Sequence, residues 1–126
     1  MQAALSAAQA TPAEVDYINL HGTGTPSNDS AEARAVNALF GATTPCSSTK
    51  GATGHALGAA GALEAVICAL TLQGGCMPGG VNTAQQDPQL KVNYLTSNRR
   101  APVRRVLSNS FGFGGANCAL LFGRAA

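Results

Sequence analysis

The segment ALGAAGALEAVICALTLQ, residues 56–73, constrains this chain more than any other stretch. It is long enough for a helix, and Gly74-Gly75 would end it. Leu57, Leu63, Val66, Ile67 and Leu70 mark one broad side, and the rest is mostly Ala and Gly. A helix apolar all round is a buried helix, and small residues let other backbones approach it closely. Glu64 is the one charge between Gly51 and Gln86. An unpaired carboxylate on a buried helix costs several kcal/mol. Glu64 therefore pairs with a cation, for which Lys50 is nearest along the chain, or else reaches solvent at a helix edge. The segment is short for a membrane span of about 20 residues, so the expectation is a soluble protein with no membrane contact.

The flanking sequence supplies strands. VDYINL, residues 15–20, is β-prone and bounded by a helix-prone Ala-rich start (2–10) and by TPAE, a capping box with Pro at the first helical position. A second helix, capped by Asn28 or Asp29, runs through Phe40, with Glu32 near its positive end and Gly41 as its stop. TPCSS (44–48) is a short strand, and TKGATGH (49–55) a loop. Residues 76–102 are irregular, with NTAQQDPQL as a loop and KVNYL as a short strand. VRRVLSNS and ANCALLFG are strands joined by FGFGGA. The order helix, strand, helix, strand, helix, strand, strand is an α/β layer pattern, read as one domain over 1–126.

Charge narrows the function classes. Charged residues are 11% of the chain, against roughly 25% for globular proteins generally. So little charge implies either a very compact fold or a surface largely covered by something outside the chain, and the second is favoured because isolated small domains usually carry more charge. The net charge of +2 is too small for a nucleic-acid footprint. Arg99, Arg100, Arg104 and Arg105 cluster without aromatic interleaving, and read as a solvated rim or a contact for an acidic carrier protein. Four cysteines without C-x-x-C spacing indicate reduced thiols in a cytosolic protein, and no metal site. Met1 to Ala10 lacks the basic and apolar regions of a signal peptide. The expected location is cytoplasmic.

The chain has two histidines, and both stand beside Gly and Thr, in HGTGTPSND (21–29) and SSTKGATGH (47–55). His21 follows a strand, at the carboxyl edge where α/β sheets place ligands. His55 stands at the start of a helix, whose dipole disfavours an imidazolium. Neutral imidazoles can each donate a hydrogen bond to a developing oxyanion, as a reaction through an enolate requires. Each histidine could equally be a satisfied structural residue. FGFGG (111–115) could be a plain hairpin turn or a loop approaching a ligand.

Together HGTGTPSND, SSTKGATGHALGAAGALEA and SNSFGFGGANC resemble the three motifs of the C-terminal half of β-ketoacyl-acyl-carrier-protein synthases, condensing enzymes of the thiolase-like fold. The resemblance implies half of a thiolase-like fold, with layered helices on a mixed β-sheet. It implies an acyltransferase that decarboxylates malonyl-carrier-protein and condenses the enolate with an acyl chain held on a Cys, in fatty acid or related polyketide or polyene synthesis. His21 and His55 then match the histidines that hold the malonyl thioester carbonyl. Lys50 and Glu64 match a charge pair behind the site. Thr23 and Thr25 match threonines that contact the pantetheine arm. Phe111 and Phe113 match gating aromatics, with the Phe113 N–H in an oxyanion hole. No cofactor is implied beyond the phosphopantetheine that carries the substrates.

The implied partners are the acyl carrier protein, an N-terminal half bearing the nucleophile, and a second copy in a homodimer. No counterpart of that N-terminal half is visible, so the chain is expected to be part of a longer one and inactive alone. Cys46, in PCSST, is a candidate nucleophile, but it falls in a strand with no sharp strand-to-helix turn to lower its pKa. The other readings are a non-catalytic ketosynthase-like partner subunit, against which both histidines argue, a nucleotide- or phosphate-binding module, which lacks the G-K-[ST] order, and a purely structural interaction domain.

Overall fold

The computed structural model describes residues 1–124. In chain order it has α1 (Gln2–Ala7), β1 (Tyr17–Asn19), α2 (Pro26–Phe40), β2 (Pro45–Ser47), α3 (Lys50–Thr53), α4 (Ala60–Gly74), β3 (Cys76–Met77), β4 (Asn93–Tyr94), β5 (Arg99–Arg100), β6 (Arg105–Phe111) and β7 (Asn117–Gly123). Short 3-10 turns cover Pro12–Glu14, Leu57–Ala59 and Phe113–Gly115. Five strands form one sheet in the order β4-β2-β1-β6-β7. The first four are parallel and β7 is antiparallel to β6, so the sheet is mixed, as expected. The two-residue strands β3 and β5 pair separately and were not foreseen.

Alternation along the central strands separates two cores. Ile18, Cys46 and Leu107 face α1 and α2, packing with Leu5, Val36 and Phe40. Tyr17 and Val106 face α4, packing with Cys68, Leu72 and Met77. Each large apolar side chain buried this way contributes about 1.5–3 kcal/mol. The capping box at Thr11 and Glu14 forms, with the Thr11 N–H and hydroxyl both donating to Glu14 Oε2.

Three expectations are corrected. First, α2 starts at Pro26 with Thr25 as its cap, ahead of Asn28 and Asp29. Proline's fixed φ suits a first helical position. Glu32 thus lies beyond the first turn and is buried, not placed at the positive end. Second, part of the expected loop 49–55 is helical: α3 buries Lys50, and Gly54, at φ +71°, ends it.

Third, α4 is not buried all round. Ala60, Glu64, Cys68 and Thr71 face inward against the sheet. Leu63, Val66 and Leu70, on the broad apolar side of a helix expected to be buried all round, are exposed, as is Leu57 in the turn before it. The helix turns its small and polar side to the sheet because β6 runs close beneath it: a Cβ on Gly61 would lie 3.1 Å from Ser110 Oγ. By length and apolar composition the helical run Leu57–Gly74 could cross a bilayer. Its packing against β6 and its inward carboxylate instead make it a layer of the fold.

Candidate active site

The carboxyl ends of β1, β2 and β6 converge, and the predicted residues gather there. β1 delivers His21, which is 6% exposed. The loop after α3 delivers His55, on the surface. Their rings meet edge to face, with centroids 5.4 Å apart and planes at 84°. Phe111, at the end of β6, lies 5.7 Å from the His21 ring at a tilt of 57°.

Behind the histidines, Lys50 Nζ forms a salt bridge with Glu64 Oε1, both side chains being buried. This decides between the two readings of Glu64: it does not reach solvent. Ser110 Oγ donates to the other Glu64 oxygen at 3.5 Å. Lys50 Nζ also stands 3.5 Å from His21 Nδ1. An ammonium only donates, so Nδ1 of His21 accepts and Nε2 carries the ring's proton. Burial, then the neighbouring Lys50 charge, then His55 hold the His21 pKa down at about 4.

His55 does not stand at an α-helix N-terminus, as was expected; the 3-10 turn Leu57–Ala59 separates it from α4. Its orientation comes from a different source. The Leu57 N–H donates to His55 Nδ1 at 3.2 Å. This ring too is left with Nε2 as its N–H donor.

A cavity of about 1110 Å³ opens beside the pair, lined by Gly22, Thr23, Lys50 and His55 and walled opposite by the loop 81–92. The Thr23 and Thr25 hydroxyls bond to each other at 2.8 Å on the loop after His21. Phe113 is not gathered into the cluster: it stands in the turn between β6 and β7 and is fully exposed. Cys46 is fully buried in β2, and burial pushes its thiol up to about 12, so it is no thiolate nucleophile. Among the described residues no three His, Cys, Asp or Glu side chains converge as metal ligands.

Sequence reasoning missed what Glu32 touches. Its carboxylate accepts the N–H groups of His21 and Gly22, each at 2.9 Å, and the Asn109 Nδ2 at 3.0 Å. A carboxylate in an amphipathic helix eleven positions after His21 gives no sign, by spacing alone, of which face it takes.

The family model described as "Beta-ketoacyl synthase, C-terminal domain" matches residues 1–84. The chain belongs to the β-ketoacyl synthase family. Among relatives, the mitochondrial 3-oxoacyl-[acyl-carrier-protein] synthase of Arabidopsis thaliana is 44% identical over 97% of this chain and 28% of its own length. The 3-oxoacyl-[acyl-carrier-protein] synthase 2 of Coxiella burnetii is 43% identical over 98% of this chain and 31% of its own. Similar solved structures include a β-ketoacyl synthase from Burkholderia phymatum, with TM-score 0.96 and 37% identity over 100% of this chain and 31% of that one. A ketosynthase from Xenorhabdus doucetiae, solved with its chain length factor, gives TM-score 0.93 and 46% identity over 99% of this chain and 32% of that one. The ketosynthase likeness extends through β7, beyond the residues of the family model, and the fold is thiolase-like as expected. This β-ketoacyl synthase chain spans under a third of the length of these relatives.

Proposed function

We propose that this chain supplies the enolate-stabilising part of a 3-oxoacyl-[acyl-carrier-protein] synthase. The observation that carries the reading is the edge-to-face meeting of His21 and His55 beside the cavity. Two Nε2–H donors on adjoining rings suit one oxygen, the thioester carbonyl of a malonyl group. As the bond to the malonyl carboxylate breaks, carbon dioxide leaves and the electron pair moves onto that oxygen as an enolate. The enolate carbon then attacks an acyl thioester, whose Cys thiolate departs. Donors aimed at where the charge develops are worth about 10²–10³ in rate each.

In this reading the Lys50–Glu64 pair backs the histidines, Thr23 and Thr25 contact the pantetheine arm, and Phe111 and Phe113 gate the acyl side. The Phe113 N–H would join the oxyanion hole of the acyl step. Acyl carrier protein brings both substrates on phosphopantetheine, and no other cofactor takes part. The nucleophilic Cys comes from an N-terminal half, and that half together with a second copy in a homodimer covers the exposed face of Leu63, Val66 and Leu70. The high exposure of that aliphatic face supports a covering surface.

The test is His55→Ala in the complete synthase that carries this chain. Malonyl decarboxylation should be abolished, while acyl transfer to the Cys stays largely intact. Equal loss of both steps would refute the role given to His55. The 126-residue chain alone should form no β-ketoacyl product, and detecting one would overturn the division of the site.

A further inference from the structure

Glu32 is a buried carboxylate, 3% exposed, that has only N–H donors as partners: the His21 and Gly22 backbones, Asn109 Nδ2, and Asn28 Nδ2 at 3.4 Å. Its two oxygens divide the work. Oε1 takes His21 and Asn109, and Oε2 takes Gly22 and Asn28. One side chain on α2 thereby ties the end of β1 to β6. The turn it holds is unusual. Gly22 has φ +41°, and a Cβ there would come within 2.4 Å of Ser48 Cβ. Ser48 Oγ donates to the Gly22 carbonyl at 2.8 Å, so that residue is gripped on both polar groups, from α2 and from the end of β2. The backbone that carries the His21 ring therefore has little freedom to rotate.

We propose that Glu32 is a positioning residue, which holds the His21 ring at its angle to His55 by accepting both N–H groups of the His21–Gly22 turn. The proposal rests on the role given above to the two histidines. An ionised carboxylate fits this duty and an amide does not. Glutamine has a single acceptor oxygen, and its NH₂ would face either the His21 and Asn109 donors or the Gly22 and Asn28 donors. Shape is kept, but one pair of donors loses its acceptor.

The two imidazoles are the chain's only histidines, which makes their nuclear magnetic resonance spectra simple to assign. In the wild-type chain the His21 and Gly22 amides should exchange with solvent as slowly as those of β1, and a ring-to-ring Overhauser contact should join His21 and His55. In Glu32→Gln that contact should vanish while the remaining amide spectrum stays native. An unchanged contact in the folded variant overturns the proposal. If the variant does not fold, the wild-type exchange decides: rapid exchange at His21 and Gly22 overturns it, and protection supports it.

In the complete synthase, Glu32→Gln should lower kcat for malonyl decarboxylation by about 100-fold with KM nearly unchanged. A proportional loss of every step, with less folded protein, would indicate structure alone and also overturn the proposal. The two readings fail separately. If His55→Ala leaves decarboxylation intact, the function falls, yet the ring contact and the exchange rates still judge Glu32.

Discussion

Lys50 and Glu64 close a salt bridge between α3 and α4 with side chains only 7% and 2% exposed. Lys50 also directs its ammonium toward His21 Nδ1. The pair therefore joins the second helical layer to the histidines. Breaking a buried pair by removing one partner costs about 3–5 kcal/mol, because the other charge is left without compensation. Glu64→Leu should lower the stability of the chain by that amount, read from its urea unfolding midpoint. Lys50→Met combined with Glu64→Leu should recover most of the loss. A double variant as unstable as the single one would show that the pair itself, and not the stranded charge, carries the stability.

His21 gives the pH dependence. Its folded pKa, about 4, lies below the ordinary histidine value near 6.5 because the ring is buried beside Lys50. On acidification the unfolded chain takes up this proton first. The His21 contribution to stability is thus complete above about pH 6.5, falls as pH drops toward about 4, and levels off below that. Unfolding midpoints measured across this window for wild type and His21→Asn should converge toward the acid end. Parallel curves would contradict the buried, neutral ring.

Gly51 and Gly58 make a matched contrast. A Cβ on Gly51 would stand 1.9 Å from the Val81 carbonyl oxygen, which is backbone and cannot swing aside. Nothing lies within 4 Å of a Cβ on Gly58. Gly51→Ala should cost at least the ~1–3 kcal/mol typical of overpacking, and Gly58→Ala should leave stability within about 0.5 kcal/mol. Thermal unfolding of the two variants tests this, and equal midpoints would count against the close approach of α3 to residue 81.

The outward stripe of α4 yields a prediction of opposite character in two settings. Val66, 60% exposed, and Leu70, 58% exposed, touch little inside the chain. Val66→Lys with Leu70→Lys should leave the unfolding midpoint of this chain nearly unchanged and raise its solubility. In the complete synthase the same pair should impair assembly, seen as less soluble folded enzyme. A large loss of stability in the chain itself would mean that this face packs inward.

Much of this was legible in the residues. VDYINL at the centre of the sheet, His21 at its end, and the pairing of Lys50 with Glu64 all followed from β-propensity and the cost of a lone buried charge. The facing of α4 did not. Hydrophobicity ranks faces by how well they exclude water, and the better face here is the one this chain leaves open, while Cys68 and Glu64 take the inside. The α3 turn was hidden because KGAT has poor helix propensity; contacts of Lys50 and Gly51 hold it in place. The contacts of Glu32 were hidden because two of its four donors are backbone amides, which leave no trace in side-chain identity, and a third, Asn109, lies 77 positions away.

Each imidazole has one nitrogen occupied by the protein itself: the Lys50 ammonium for His21, the Leu57 amide for His55. Neither ring can then serve as a two-ended relay. Passing a hydrogen ion through either ring would first require that inner contact to let go.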